Sequence, residues 1–250
     1  MIFRQLFESS SSTYTYLIGC EETGQTALID PVLETVERDL NEIKALGLEL
    51  SFTIDTHIHA DHLTSARKLK ALTNSQIAFP FVEKPSCADI GLTEGVEFKV
   101  GNVVLHPLFT PGHTSHHHAY LIDDGVNKML FSGDALLIDA CGRTDFQSGD
   151  AATLYDSIHN KFFSLPEDTL VYPGHDYTGR FVSTIAQEKK RNPRLGDNRS
   201  REEFVKIMNE LDLPYPRKID FAVPGNEICG ECPPNVPEEL RSPCEIHDQG

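Results

Sequence analysis

The sequence predicts an α/β protein in which sheets are covered by helices. Segments rich in β-branched and aromatic residues outnumber segments with helical periodicity, and the two kinds are interspersed along the chain. Mixed strands with flanking helices favour helix-covered sheets over a pure β sandwich. A chain of 250 residues can bury a large core, and we expect one main domain with a small appendage.

The first elements are a hairpin, a helix and a third strand. Residues 13–19 and 26–31 have the composition of paired strands, and Pro31 ends the second. Apolar residues then recur at helical spacing, at Val36, Leu40, Ile43 and Leu46. Gly47 is typical of a helix C-terminus. The apolar run 50–54 predicts the third strand, and residues 63–72 predict the next helix.

The remaining elements are predicted in the same way. Further strands are expected at residues 77–81, 96–100, 103–109, 119–122, 129–132 and 170–172, and helices at residues 151–163, 181–190 and 201–211. From about Asp212 onward prolines accumulate and regular periodicity stops. We therefore expect a main domain over residues 1–211. Residues 212–250 should be a Pro-rich extension that partly wraps the core and frays at its end.

Charge and hydropathy exclude two classes of partner. The net charge is −16, and no basic stripe offers phosphate contacts, so nucleic acid is not expected to bind. No apolar stretch is long enough to span a bilayer, and residues 1–13 resemble neither a signal peptide nor an Arg-rich leader. We expect a soluble protein, cytoplasmic if bacterial, or of the mitochondrial matrix if a eukaryotic leader was removed.

The six cysteines are predicted to be reduced thiols, since the chain shows no export signal. Cys229 and Cys232 have the spacing of a zinc knuckle or a redox pair, and Cys244 follows them. No second pair completes a four-ligand zinc site. A tail with incidental thiols is the interpretation we favour over the metal or redox alternative.

A histidine-rich segment directly after the strand at 50–54 predicts a metal site. Thr56-His57-Ile58-His59-Ala60-Asp61-His62 places three imidazoles and a carboxylate within seven residues. Alternate side chains of a strand point to opposite faces, so His57 and His59 converge on one ion only if the strand has ended. We place Asp61 and His62 at the entry of the following helix, where a carboxylate suits the helix dipole.

Three more candidate ligands each follow a strand and a glycine: His113, Asp134 and His175. A glycine allows the tight turn and the close backbone approach that a loop folding over an ion needs. Each Pro-Gly or Ser-Gly turn would be weak evidence alone. Together the seven side chains could hold two metal ions.

These motifs resemble the metallo-β-lactamase superfamily, whose fold is an αββα sandwich with metals at one sheet edge. Finer segments closely resemble the persulfide dioxygenase family over roughly residues 2–229. The segments that carry this resemblance are residues 29–35, 133–138, 141–147, 175–177, 192–195 and 219–224. The resemblance places a catalytic domain of the metallo-β-lactamase type at residues 1–211.

The resemblance implies an oxygenase with one Fe(II) per chain that converts glutathione persulfide, O2 and water to sulfite and glutathione in sulfide detoxification. Its iron ligands would be His57, His113 and Asp134, an arrangement that leaves positions open for substrate and O2. The other four side chains would orient the ligands and hydrogen-bond within the site: His59, Asp61, His62 and His175. A homodimer and a sulfurtransferase partner of the rhodanese type are further expectations.

Substrate binding requires a local cation, because glutathione is anionic and so is this chain. Arg143, on the loop that leaves the metal, is the candidate, with an exposed ion pair to Asp145 as the alternative. Tyr177 is the second candidate, through its phenol; its alternative is a core tyrosine. The run 116–118 departs from the family pattern with three histidines, which we interpret as surface or core-edge residues rather than residues that tune the site.

The main rival function is thioester hydrolysis of the glyoxalase II type, in which a hydroxide held between two metals attacks a carbonyl. Residues 219–224 argue against it, because they match the dioxygenase pattern and not the helical substrate domain of that hydrolase. A persulfide-binding module without catalysis is a third alternative. The complete ligand set argues against such a module.

Overall fold

Two six-stranded sheets form the centre of the molecule in this computed structural model, which describes residues 1–234 and Val236. The first sheet has the order β1 (Ile2–Glu8), β2 (Thr13–Gly19), β3 (Gln25–Ile29), β4 (Glu49–Ile54), β5 (Gln76–Pro80) and β6 (Ile90–Leu92). From one edge to the other, the second sheet has the order β7 (Phe98–Val100), β8 (Val103–Phe109), β9 (His118–Asp123), β10 (Lys128–Gly133), β13 (Leu170–Pro173) and β14 (Ser183–Thr184). Strands β11 (Leu136–Leu137) and β12 (Ala140–Cys141) pair separately.

Helices lie outside both sheets. They are α1 (Val36–Ala45), α2 (Ala66–Thr73), α3 (Ala151–Ser157), α4 (Ile185–Arg191), α5 (Arg201–Asn209) and α6 (Ile219–Asn226). A π-helical turn at Ile158–Phe162 continues α3. Side chains fix several starts: Asp150 accepts the Thr153 N–H, and Ser200 and Glu203 form a capping box. No helix in the described part of the chain is long and apolar enough to cross a bilayer.

Burial of the apolar side chains shows the four layers directly. Side chains of both sheets meet in one buried cluster that includes Tyr16, Ile54, Leu105 and Phe131. A second cluster packs the second sheet against α3 and α5, and a third packs the first sheet against α1, α2 and α6. Burying one apolar stripe per helix and both faces of each sheet is what holds such layers together. The predicted αββα sandwich is confirmed.

The predicted hairpin is confirmed, with β2 and β3 antiparallel and Tyr16 opposite Ile29. Four differences stand out. Strand β1 and helix α6 were missed, and residues 181–184 are not helical. Helix α2 begins at Ala66, so Asp61 and His62 lie in a loop ahead of the helix rather than at its entry. The longer loop lets the chain fold back before the helix starts.

Strand direction brings the polar loops to one end of the sandwich. Strands β3, β4 and β5 are parallel neighbours in the first sheet, and β10 and β13 are parallel neighbours in the second. The carboxyl ends of parallel strands lie at the same edge of a sheet. The loops that follow β4, β10 and β13 carry His57, Asp134 and His175, respectively. The topology therefore gathers candidate ligands from distant parts of the sequence.

The prediction of reduced thiols is wrong for three of the cysteines. Cys87 and Cys229 form a disulfide, and Cys232 is disulfide-bonded as well. Cys20 and Cys141 are free and buried, and Cys244 lies outside the described residues. Because Cys229 pairs with Cys87, Cys229 and Cys232 form neither a zinc knuckle nor a redox pair with each other, and these tail thiols are not incidental.

The Cys87–Cys229 disulfide should stabilise the fold, because it closes a loop with a sequence separation of 142 residues. Cross-linking restricts the unfolded chain, and its loss from a domain costs about 2–5 kcal/mol. Cys87→Ser purified without reductant should therefore unfold at a lower temperature than the wild type in calorimetry. Cys20→Ser, which removes a free buried thiol, is the control; an equal loss in both variants would contradict the prediction.

Candidate metal centre

His57 is the best-fixed member of the histidine-rich loop. Its side chain is buried, and Nδ1 lies 2.9 Å from Thr56 Oγ1. Thr56 donates its backbone N–H and its hydroxyl to the Asp30 carboxylate, at 2.7 and 3.0 Å. Because the Thr56 hydroxyl proton points to Asp30, Thr56 Oγ1 accepts from His57 Nδ1–H. The imidazole is thus held as the tautomer whose Nε2 is the free base, the form that binds a metal.

His113 and Asp134 meet His57 from the second sheet. Nδ1–H of His113 donates to the Arg143 carbonyl at 2.7 Å, which leaves Nε2 as a free base 3.7 Å from Asp134 Oδ2. Asp134 Oδ1 is buried and has no hydrogen-bond partner within the described residues. One ligand atom from each of the three side chains lies within 4.8 Å of the others. The structure thus brings together the three side chains that the resemblance implied as iron ligands.

A second group of potential ligands lies beside the first. His59, Asp61 and His62 each offer an atom within 4.8 Å of the others. His59 Nδ1 and His62 Nε2 are buried without hydrogen-bond partners in the described part of the chain. His175 points Nε2 between the two groups, 3.5 Å from Asp134 Oδ2 and 3.6 Å from Asp61 Oδ2. Geometry alone therefore still allows two metal ions.

The chain leaves the strand before His57, as it must if His57 and His59 are to converge on one ion. Strand β4 ends at Ile54, and the rings of His57 and His59 lie 4.1 Å apart at their centroids. His59 Nε2 also lies 3.1 Å from Asp30 Oδ1. Asp30, Asp55 and His59 form a third group of potential ligands, buried beneath the first two. Asp30 therefore anchors both histidines that follow β4.

Burial and neighbouring charges shift the pKa values of the site residues in different directions. Burial, with His59, His113 and His117 close by, holds the pKa of His57 well below its usual value. Burial also lowers the pKa of His59, but Asp30 and Asp55 outweigh it and raise that pKa to about 9. Burial raises the pKa of Asp61, yet His62 and His175 bring it well below the ordinary value. A neutral His57 is the protonation state that can donate a lone pair to a metal.

Helix α6 supports the histidine-rich loop from below, a role that sequence reasoning missed. Asn226 Nδ2 donates to the carbonyls of His59 and His62 at 2.9 and 2.8 Å. Asn226 Oδ1 accepts the Thr64 N–H at 2.9 Å. From the other side, Gln147 Nε2 donates to the Ile58 carbonyl at 2.7 Å. No local pattern marks Asn226 or Gln147, because both act through contacts distant in sequence.

The three histidines at 116–118 were interpreted as surface or core-edge residues; all three are buried, so they are not surface residues. Strand β9 begins only at His118, so His116 and His117 lie in the loop ahead of it. The ring of His117 lies 5.2 Å from that of His57 and 6.2 Å from that of His113. His117 is therefore packed against the candidate metal centre, and His116 bonds to the loop that carries His57.

A cavity of about 590 Å³ opens over the first group of ligands. Its lining includes His57, His113, Asp134, Arg143, Tyr177 and Arg194. Tyr177 is 74% exposed, and its ring is stacked on that of His175 with the centroids 6.0 Å apart. Tyr177 is therefore not a core tyrosine, and its phenol is accessible from the cavity.

The cations around the cavity differ in how they are paired. Arg143 forms two contacts of 2.7 Å with the Asp145 carboxylate and donates to the Pro214 carbonyl at 2.9 Å. Arg194 donates to the Cys141 carbonyl at 2.9 Å, and no carboxylate among the described residues pairs with it. The predicted cation, Arg143, lines the cavity, but the Asp145 carboxylate partly neutralises its charge. The sequence analysis did not predict Arg194 as a substrate-binding cation. Neighbouring carboxylates neutralise its charge less than they neutralise that of Arg143.

Comparisons with known proteins agree with this geometry. A model of the metallo-beta-lactamase superfamily matches residues 79–175. "Persulfide dioxygenase ETHE1, mitochondrial" of Homo sapiens is 47% identical over 92% of this chain and 89% of its own length. The crystal structure of ETHE1 from Myxococcus xanthus superposes with a TM-score of 0.88 at 53% identity, covering 92% of this chain and 100% of that one.

A more distant relative represents the rival function. "Glyoxylase B2" of Dictyostelium discoideum is 30% identical over 91% of this chain and 90% of its own length. The metallo-β-lactamase fold and the His and Asp groups indicate a metal centre. The identity to the persulfide dioxygenases is much higher than the identity to "Glyoxylase B2" and extends over nearly the whole chain, and this decides the family. This chain belongs to the persulfide dioxygenase family.

Proposed function

We propose that this protein is an Fe(II)-dependent dioxygenase that oxidises glutathione persulfide with O2 and water to sulfite and glutathione. The observation that carries the proposal is the group formed by His57, His113 and Asp134 at the base of the cavity. Two histidines and one carboxylate on one side of an ion leave positions open for a substrate and O2. Membership of the persulfide dioxygenase family supports the choice of substrate.

The residues present fit Fe(II). The His57 and His113 tautomers present free Nε2 atoms, and Asp134 Oδ1 is buried without a partner among the described residues. Fe(II), when bound, supplies redox chemistry that zinc lacks. We propose one iron per chain, with four residues that orient the ligands and hydrogen-bond within the site: His59, Asp61, His62 and His175.

The cavity residues would bind and orient the tripeptide. Glutathione carries two carboxylates, and the guanidinium groups of Arg143 and Arg194 both line the cavity. We propose that each holds one carboxylate, with the Tyr177 phenol as a donor near the ligand group. Leu137, Leu213 and Pro216 add apolar surface to the same lining. Holding the persulfide sulfur beside the ion converts an encounter of separate reactants into a reaction between neighbours.

A hydrolase of the glyoxalase II type is the second candidate. The observation in its favour is the complete second ligand group, in which His59 Nδ1 and His62 Nε2 are buried without partners among the described residues. Two bound metals would hold a hydroxide for attack on a thioester. The 47% identity to a persulfide dioxygenase, against 30% to "Glyoxylase B2", favours the dioxygenase.

The remaining proposals concern the cellular setting and domain organisation. The mitochondrial relatives support the matrix as the location if the chain is eukaryotic, and a bacterial protein would be cytoplasmic. We keep a homodimer and a rhodanese-type sulfurtransferase partner as proposals. We also propose that residues 212–250 extend the catalytic domain of residues 1–211 and partly wrap it; residue 235 and residues 237–250 of this extension lie outside the described residues. The contacts of Asn226 with the carbonyls of His59 and His62 support the wrapping.

An oxygen electrode distinguishes the two functions. Anaerobically purified, iron-loaded protein should consume O2 and release sulfite when glutathione persulfide is added. Glutathione should not replace the persulfide, because it has no second sulfur to leave as sulfite. Hydrolysis of S-lactoylglutathione without any persulfide-dependent O2 consumption would reject the dioxygenase and favour the hydrolase.

A further inference from the structure

His116 and His117 are buried side chains that the proposed function leaves without a role. They are 2% and 0% exposed, and lie between His113 and strand β9. Among the described residues, neither belongs to a group of potential metal ligands. Burying a polar group is costly unless it is hydrogen-bonded. Their partners therefore indicate what the two histidines do.

His117 holds the turn that carries Asp134. The backbone N–H of Asp134 can only donate, so Nε2 of His117 accepts it, at 3.2 Å. The ring proton then lies on Nδ1, which is 2.8 Å from Thr110 Oγ1. The turn is also fitted to the ring, because Gly133 has a φ of +50° and a Cβ there would lie 2.5 Å from His117 Nε2. A larger residue at 133 would push the Asp134 turn away from the ring.

His116 holds the loop that carries His57 in the same way. The backbone N–H of Ile58, the residue after His57, donates to His116 Nε2 at 2.9 Å. The Nδ1 atom of His116 lies 2.6 Å from Glu83 Oε2 but forms no hydrogen bond with acceptable geometry among the described residues. Two neighbouring residues thus bond to two loops that belong to different sheets. One loop carries His57 and the other carries Asp134.

We propose that His116 and His117 are positioning residues that set the separation of His57 and Asp134. A metal requires its ligand atoms within a few tenths of an ångström of the right place, and the bonds behind the ligands provide that precision. Adjacent residues in one short segment cannot move far apart, so the two loops they hold keep their spacing. This inference rests on the proposed ligand set.

The test compares His116→Leu and His117→Leu with the matched variant His118→Leu. His118 is equally buried, and its side chain bonds to the His116 carbonyl rather than to either ligand loop. Fe(II) binding is measured anaerobically by competition with a chelator, and Co(II) absorption spectra report the ligand geometry. The first two variants should bind Fe(II) about 10–100-fold more weakly, the usual effect of losing a group that supports a ligand. His118→Leu should bind as the wild type does.

Rescue by glutamine distinguishes a positioning role of His116 and His117 from a role in general packing. Gln places its amide oxygen near the location of Nε2, so His117→Gln and His116→Gln should recover Fe(II) affinity and the Co(II) spectrum. The shorter Asn should recover neither. Folded Gln variants that bind as weakly as the Leu variants would overturn the inference, and they decide the question if the Leu variants do not fold.

His113→Ala distinguishes failure of the inference from failure of the proposed function. Undiminished Fe(II) binding in His113→Ala would reject the ligand set, and the proposed role of His116 and His117 with it. Loss of binding in His113→Ala together with wild-type affinity in His116→Leu and His117→Leu would leave the ligand set intact and overturn only the inference.

Discussion

Substituting His113 or Asp134 by Ala should remove both the bound iron and the persulfide-dependent O2 consumption, leaving only background activity. Each substitution deletes one of the three side chains whose ligand atoms lie within 4.8 Å of each other. The remaining two cannot hold Fe(II) in the arrangement that leaves substrate positions open. Metal analysis of anaerobically purified protein should give near one iron per chain for the wild type and almost none for the variants.

His175→Ala provides the decisive contrast within the same cavity. His175 lies 3.5 Å from Asp134 Oδ2 but outside the proposed ligand set, so this variant should keep its iron while its activity falls. His106→Ala, at a partly buried position on β8 away from the cavity, is the control. Two ions at full occupancy, bridged by Asp134, would contradict the prediction. So would loss of all iron from His175→Ala.

The candidate ligands could be predicted from sequence because each lies in a short motif next to a strand end. The run from His57 to His62 is dense, and the glycines before Asp134 and His175 mark turns. Parallel neighbours in each sheet then bring these turns to one end of the fold. The number of metals could not be predicted, because the same spacing serves one ion or two.

The supporting contacts could not be predicted because they join residues that are far apart in sequence. The Asn226 amide reaches the His59 carbonyl across a separation of 167 residues. The Cys87–Cys229 disulfide was missed because the lack of an export signal indicates only that the cysteines of such proteins are usually reduced. It does not show whether two particular cysteines lie close enough to pair. The burial of His116 was not predicted because its hydrogen-bond partner, the Ile58 N–H, is 58 residues away in the sequence.

Arg143 remains a candidate for binding the substrate, but its ion pair with Asp145 reduces the charge it can offer. The sequence predicted either a carboxylate anchor or an ion pair with Asp145, and the structure contains the ion pair at the edge of the cavity. A guanidinium has five N–H donors, so pairing with one carboxylate does not exhaust it. Its positive charge is nevertheless partly offset. The charge that remains to attract an anionic substrate is greater at Arg194.

Arg194→Gln should therefore raise the KM for glutathione persulfide more than Arg143→Ala does. Losing a hydrogen bond to a charged group costs about 1.5–3 kcal/mol, or roughly tenfold to more than a hundredfold in affinity. Arg194 has no carboxylate partner among the described residues, which places it at the upper end, whereas Asp145 shares the charge of Arg143. Iron content should be unchanged in both variants, because neither residue belongs to the ligand group.

Initial rates of O2 uptake over a range of persulfide concentrations separate KM from kcat in these variants. Arg201→Ala removes a guanidinium paired in two contacts with Asp156, away from this cavity, and controls for a general change in charge. Unchanged KM in Arg194→Gln and in Arg143→Ala would mean that other groups hold the glutathione carboxylates. A larger KM effect for Arg143→Ala than for Arg194→Gln would mean that Asp145 releases Arg143 when the substrate binds, contrary to the charge argument.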